Sequence, residues 1–219
     1  MAENLESALA TDRARALELT PVSREIAEKL DRFVEVLREW QPRSNLIAAS
    51  TLPIVWTRHI ADSLQLLPLA PQAKTWIDFG SGAGFPGLII ACALPPDAVV
   101  HLVESTGKKA TFLREAARHI GAPAEIHAVR IEDFVKKFGG QADVVTARAL
   151  APLTSLLGLA ESLLKKGALG LFPKGQDVAS ELTEATKCWK YESSLVPSKT
   201  NAQSRVVIVR GLERRNPKR

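Results

Sequence analysis

Two rhythms of hydrophobic and polar positions divide this 219-residue chain. Val22, Ile26, Leu30, Phe33, Leu37 and Trp40 recur at three- and four-residue steps, the spacing of one helical face. Thr20 reads as the N-cap of that helix, with Pro21 at its first helical position. The polar run Gln41-Pro42-Arg43-Ser44-Asn45 is expected to stop it. A second helix is predicted from after Thr51 to about Leu67, ended by Pro68 and Pro71. Residues 1–73 therefore read as an N-terminal helical cap.

From Thr75 onward, short apolar, β-branched runs alternate with helical segments. Strands are predicted at 75–79, 99–103, 124–129, 142–147 and 168–172, with helices near 86–94, 107–120, 131–138 and 152–166. Such alternation implies βαβ crossovers and a parallel sheet covered on both faces. A helix near 177–188 leads to two more runs, 189–196 and 205–210, which the polar turn Pro197-Ser198-Lys199-Thr200-Asn201 allows to pair as an antiparallel hairpin. The expected fold class is α/β, with a seven-stranded sheet over residues 74–212 that is parallel except for its C-terminal hairpin. That is the shape of a class I methyltransferase (Rossmann-like) sheet, whereas a dinucleotide-binding sheet usually has six parallel strands. Residues 213–219 read as a basic tail.

Composition narrows the class without naming it. With 46% hydrophobic and 24% charged residues, the chain has the balance of an ordinary globular protein. The longest apolar stretch, 87–94, is too short to cross a bilayer, and the first twenty residues lack the pattern of a signal peptide. Cys92 and Cys188 stand far apart without a further ligand at metal spacing, so no metal is expected and the compartment is read as the cytoplasm. The net charge of +5 is unevenly placed: 9 basic and 10 acidic residues up to Lys74, then 20 and 14. A basic excess on one part of a chain suits a phosphate-rich partner.

The most informative stretch is Trp76-Ile77-Asp78-Phe79-Gly80-Ser81-Gly82-Ala83-Gly84-Phe85-Pro86-Gly87, where a predicted strand runs through glycines into a helix. Gly82 to Gly87 fits G-x-G-x-x-G, the dinucleotide fingerprint. Asp78, Gly80, Gly82 and Gly84 equally fit the acidic-x-G-x-G-x-G loop of methyltransferases. Asp78 favours the second reading, because its carboxylate would repel a pyrophosphate yet can help hold the ammonium of a methionine. Glu104 ends the second strand, where it can accept both hydroxyls of an adenosine ribose. Glu132 and Asp133 follow the third strand, where an acceptor can meet the amino group of adenine.

Missing parts narrow the chemistry further. No Asn/Asp-Pro-Pro-Tyr/Phe motif follows the fourth strand, as methylation of an exocyclic amine would need. Neither cysteine is placed as the nucleophile for carbon-5 of cytosine. A ring nitrogen such as guanine N7 has a free lone pair and needs alignment rather than a base. Arg148, at the mouth of the fourth strand, can orient the cofactor or donate to guanine O6. Arg58 and Asp62 have the spacing of an i,i+4 helix pair, whereas His101, His119 and His127 have no partner at a useful spacing and read as structural.

Taken together, these residues resemble the RsmG (GidB) family, bacterial methyltransferases that modify N7 of a guanine in the 530 loop of 16S ribosomal RNA. The similarity spans about Thr20 to Arg210. Its anchors are Trp40 with Asn45-Leu46, Arg58-His59-Ile60-Ala61-Asp62-Ser63, and Asp78 through Gly87. Glu104 through Lys109, Phe112-Leu113-Arg114, Arg148-Ala149 and Lys174-Gly175 extend it. The glycine turn is common to many methyltransferases, but the Arg-His-Ile-x-Asp-Ser segment upstream of Gly-Phe-Pro-Gly is far more selective.

The resemblance implies S-adenosyl-L-methionine as methyl donor and 16S rRNA or the small ribosomal subunit as partner, met by a monomer without a membrane. It adds Phe85, Ile131, Glu132 and Arg148 as cofactor contacts beside Asp78, Gly80, Gly82, Gly84 and Glu104. Phe85 stands where many members have leucine and Glu104 where many have aspartate, so the longer Glu104 must reach the ribose from another angle. Arg148, Arg58 and His59 become the expected catalytic groups, and Lys108, Lys109, Lys174 and Arg58 the expected RNA contacts. Two rivals stand beside this reading. An NAD-dependent oxidoreductase is disfavoured by Asp78 and the terminal hairpin. A non-catalytic RNA-binding or ribosome assembly factor is disfavoured by the intact Gly80, Gly82, Gly84, Glu104 and Glu132.

Overall fold

A computed structural model describes residues 2–215. Seven strands form one sheet: β1 (Thr75–Phe79), β2 (Val99–Val103), β3 (Ala124–His127), β4 (Val144–Ala147), β5 (Leu169–Lys174), β6 (Trp189–Pro197) and β7 (Arg205–Arg214). Their order is β3-β2-β1-β4-β5-β7-β6. The first five run parallel, and β7 lies antiparallel between β5 and β6. Chain order reverses between β1 and β4, so the carboxyl ends of these strands open a crevice where ligands of such sheets bind. Strand β7 outruns its expected end at 210 because, past a bulge, Glu213 and Arg214 still pair with Lys190 and Trp189. The basic tail expected over 213–219 therefore begins inside a strand, and residues 216–219 lie outside the described residues.

Helices α1 (Ala2–Leu19), α2 (Arg24–Ser44) and α3 (Asp62–Leu64) precede the sheet, and α4 (Gly87–Ala93), α5 (Gly107–Ile120) and α6 (Ile131–Lys137) connect its first strands. The helix expected over 152–166 breaks at the buried Ala160 into α7 (Leu153–Leu159) and α8 (Glu161–Lys165), and α9 (Val178–Cys188) follows β5. Strand β1 shows why both sheet faces are covered: Trp76, Ile77, Asp78 and Phe79 are all buried. Trp76 joins a core shared with α1, α2, α4 and α5, whereas Ile77 and Phe79 face α6 to α9. The first core is continuous from Leu9 through Phe33 and Phe112 to Val206, so the N-terminal helices form one of its walls. On that wall α2 packs against α5 through edge-on contacts of Phe33 and Trp40 with Phe112, and the Trp40 indole donates to Glu115.

The N-terminal third departs from its sequence pattern at three points. The cap of α2 is Ser23, whose hydroxyl accepts from Ile26 N, while the Thr20 hydroxyl bonds back to the Ala16 carbonyl and closes α1. Helix α2 continues through Pro42 to a left-handed Asn45, and the Gln41 side chain bonds both the N–H and the carbonyl of Ile47. The expected helix from Thr51 to Leu67 is broken into 3₁₀ turns at Ala49–Ile54 and Leu67–Leu69, a π-helical turn at Trp56–Ala61, and α3. A widened turn needs outside partners for its first amides. Asp12 on α1 provides them: its Oδ2 accepts from Trp56 N at 2.9 Å and Thr57 N at 3.0 Å.

Replacing Asp12 by alanine strands those buried amides and is expected to cost about 2 kcal/mol or more in urea unfolding. Asp12→Asn, which keeps an acceptor oxygen, should recover part of the loss. Equal stability of wild type and Asp12→Ala would remove the carboxylate from this role.

Candidate active site

The turn after β1 is built from three left-handed glycines, Gly80 (φ 66°), Gly82 (φ 52°) and Gly84 (φ 89°). The amides of Gly80 and Ser81 donate to the Val103 carbonyl at 2.8 and 3.2 Å, which ties the turn to the end of β2. Glu104 continues that tie: one carboxylate oxygen accepts from Gly82 N at 3.0 Å and the other from Thr106 N at 2.7 Å. Asp78 closes the turn from behind, its Oδ2 accepting from Gly87 N at 3.0 Å. Gly87 is obligatory there, because an added Cβ would lie 2.3 Å from Leu102 Cδ2 and 2.6 Å from the Asp78 carboxylate. Burial pushes the Asp78 carboxyl up to about 7, against hydrogen bonds that favour the charged form. Its second oxygen is buried without a hydrogen-bond partner.

In front of this turn is a cavity of about 450 Å³ lined by Gly80, Gly82, Glu104, Lys109, Ile131, Glu132 and Leu150, among others. Of the expected cofactor contacts, Gly80, Gly82, Glu104, Ile131 and Glu132 meet here. Asp78, Gly84, Phe85 and Arg148 do not line the cavity, Arg148 lining its neighbour instead. Asp78 braces the loop from behind, and Gly84 turns the chain into α4. Phe85 points into the core, edge-on to Phe33 at 5.4 Å and stacked on His59 at 4.8 Å. Its apolar ring is buried against the helical wall, where it supports the neighbouring cluster.

That cluster surrounds Arg148. A second cavity, of about 500 Å³, is lined by Arg58, His59, Asp62, Arg148, Lys174 and Ser204 together with Ala149, Leu150 and Ala151. The last three residues line both cavities and form the wall between them. Ala149 holds a left-handed backbone at φ 52°, a strained conformation for a residue with a Cβ. The expected Arg58–Asp62 helix pair is not formed. Asp62 instead faces inward, accepting from Arg148 Nη1 at 3.3 Å, Thr200 Oγ1 at 2.9 Å and Gln65 Nε2 at 2.8 Å. Arg148 also donates to the Arg58 carbonyl and to His59 Nδ1, and its guanidinium lies over the Phe85 ring. Because a guanidinium only donates, His59 Nδ1 must accept, and the ring proton sits on Nε2 facing Thr51 Oγ1 at 3.1 Å. Desolvation first, then the charges of Arg148 and Arg58, push His59 down to about 3, so the ring is neutral near pH 7.

The expected RNA contacts divide. Arg58 is exposed at the rim of the second cavity and Lys109 is half-buried at the first. Lys108 is exposed but donates to the Arg43 carbonyl near the end of α2. Lys174 is a correction: its ammonium is nearly buried, 2.7 Å from both the Ala151 carbonyl and Glu181. It braces the wall between the cavities, a use of lysine that spacing could not reveal. Away from both cavities, His101 and His127 are partnered after all, their Nδ1 and Nε2 lying 3.1 Å apart. The parallel pairing of β2 with β3, invisible in sequence spacing, brings them together.

Comparison with known proteins adds three findings. Residues 26–208 match a family model described as rRNA small subunit methyltransferase G (GidB). Ribosomal RNA small subunit methyltransferase G from Bradyrhizobium sp. strain BTAi1 is 59% identical over 210 residues, covering 95% of each chain. Among solved structures, a Bacillus cereus O-methyltransferase in complex with SAH superimposes with a TM-score of 0.59 at 11% identity, covering 94% of this chain and 100% of that one. TomG, an O-methyltransferase from Streptomyces achromogenes solved with SAM, gives 0.58 at 15% identity, covering 94% and 98%. At these identities the structural likeness is one of fold, the class I methyltransferase sheet.

The depressed His59 pKa has a testable sign. Between pH 6.5 and about 3 the unfolded chain carries a proton on this ring and the folded chain does not, so stability is lost as pH falls through that window. Urea unfolding from pH 7 to 4 should show wild type losing up to about 1.4 kcal/mol per pH unit more than His59→Gln. Parallel profiles would mean that the ring protonates in place.

Proposed function

As the chain belongs to the rRNA small subunit methyltransferase G family, we propose that it transfers a methyl group from S-adenosyl-L-methionine to N7 of a guanine in the 530 loop of 16S rRNA. The observation that carries this reading is the pair of abutting cavities: one pairs a glycine turn with a carboxylate, the other is lined by arginines, and only residues 149–151 separate them. The first cavity suits the methyl donor. Gly80 holds φ 66°, a left-handed backbone that a side chain would strain, and this brings bare backbone to the cavity. Glu104 would hold the ribose hydroxyls, Ile131 and Leu150 would give apolar contact to the adenine ring, and Glu132 would offer an acceptor to its amino group. When bound, S-adenosyl-L-methionine supplies a methyl group on a positively charged sulfur, ready for attack by a lone pair.

The second cavity suits a base that loses no proton. His59 is neutral, but its Nδ1 is occupied by Arg148; the Asp62 carboxylate already has three donors. Neither is free as a general base, and a guanine N7 needs none. Arg148 has five N–H donors, three of them used within the protein, and the remainder can bond guanine O6 and hold N7 in line. Its rigid setting makes alignment the main source of rate, worth up to roughly 7–11 kcal/mol. Residues 1–73 deliver Arg58 and His59 to the cavity of the 74–212 domain, and Arg58 and Lys109 are the cations placed to meet RNA phosphates. The protein works on 16S rRNA or the small subunit as a cytoplasmic monomer.

Incubation with methyl-labelled S-adenosyl-L-methionine and small subunits lacking the modification, followed by borohydride reduction and aniline cleavage, should cut the RNA once, in the 530 loop. Label without cleavage would discard N7, and no label on RNA or subunits would discard the enzyme reading. Hydrogen bonds to a carboxylate are worth about 1.5–3 kcal/mol. Glu104→Gln should therefore weaken S-adenosylhomocysteine binding roughly tenfold or more by calorimetry, with the melting temperature as control for folding. Unchanged affinity would take the ribose role from Glu104.

A further inference from the structure

Among the described residues, a cluster of potential metal ligands lies away from both cavities, formed by His101, Glu125 and His127. Its origin is the register of the sheet edge. Strand β3 pairs with β2 so that His101 faces Glu125 and Val103 faces His127. Side chains two apart on a strand share a face, which sets Glu125 and His127 beside His101.

The donor atoms converge. His101 Nδ1 lies 3.1 Å from His127 Nε2 and 3.3 Å from Glu125 Oε2, and His127 Nε2 lies 3.9 Å from that oxygen. Tetrahedral zinc, with ligands at about 2.0–2.1 Å, spaces its donors by roughly 3.3–3.4 Å. Without an ion the three atoms compete: a proton on His101 Nδ1 can point at the imidazole or at the carboxylate, and one of them is left unanswered. A divalent ion meets all three lone pairs together.

The surroundings suit such an ion. Phe134 of α6 and Phe138, the residue just past its end, wall the histidines, with ring centroids 4.7 Å from His127 and 5.1 Å from His101 respectively. An apolar shell of this kind limits water around a metal. On the other side β3 is an edge strand and the Glu125 side chain is 61% exposed, which leaves the ion a way in. We propose that His101, Glu125 and His127 bind one divalent transition ion of the zinc class, with a water completing the tetrahedron. The expectation of no metal, based on the cysteines, did not reach this site, because its ligands converge only through strand pairing. The ion ties edge strand β3 to β2 on the face against which α6 packs.

The test uses the full chain, stripped with a chelator and titrated with ZnCl₂ by calorimetry and with Co²⁺ by visible absorption. One Zn²⁺ per chain is expected, with an intense four-coordinate Co²⁺ spectrum and a Zn²⁺-dependent rise in melting temperature. All three readouts should vanish in His127→Gln and weaken in Glu125→Gln, and survive in His119→Gln on the remote face of α5. If His127→Gln fails to fold, Glu125→Gln, changed at an exposed edge position, decides. Absence of stoichiometric binding, a six-coordinate Co²⁺ spectrum, or binding indifferent to both His127→Gln and Glu125→Gln would overturn the proposal.

Discussion

The structure depends on how a guanidinium taken out of water is answered. Arg148 projects from the end of β4 with its side chain only 17% exposed, and burying a cation costs several kcal/mol unless it is paired and hydrogen-bonded. Its partners come from distant parts of the chain: the Asp62 carboxylate, the Arg58 carbonyl and the His59 ring. Those three can face it together only because residues 56–61 form a widened turn, and that turn stands on Asp12 of the first helix. Asp62 in turn accepts from Thr200 in the β6–β7 connection. One buried charge thus joins the N-terminal helices, the sheet and the terminal hairpin.

This arrangement explains why the His59 ring beside the second cavity is neutral. Burial and the guanidinium at its accepting nitrogen keep that ring from taking a proton, while the Asp62 carboxylate is occupied by three donors. The guanidinium at the centre of this cluster is fixed by three hydrogen bonds and lies over the Phe85 ring. The wall formed by residues 149–151 is held with equal care. Lys174 bonds Glu181 and the Ala151 carbonyl, two residues from the left-handed Ala149.

The glycine turn follows a different logic. Its conformation is set by three positive φ angles and by amides fixed to Val103 and Glu104 at the end of the neighbouring strand, and the Asp78 and Glu104 carboxylates each have a backbone partner. The loop is therefore built before any ligand arrives, which reduces the ordering that binding must otherwise supply.

What the sequence by itself determined was whatever depends on near neighbours. The five parallel strands were legible because burial on both faces leaves continuous apolar, β-branched runs, and the terminal hairpin because a polar turn divides two such runs. Gly80, Gly82 and Gly84 were legible because left-handed backbone calls for glycine, and Glu104 because it ends a strand beside them. Only the tertiary structure decided what rests on distant partners. It gave Asp62 to Arg148 instead of Arg58, turned Phe85 into the core, withdrew Lys174 into an ion pair, and brought His101 to His127. It also broke the second helix of the N-terminal third, since Asp12 could satisfy amides that a regular helix would have bonded within itself. Charge and hydrogen-bond partners are chosen by proximity in space, and periodicity along a chain reports only which face a residue occupies.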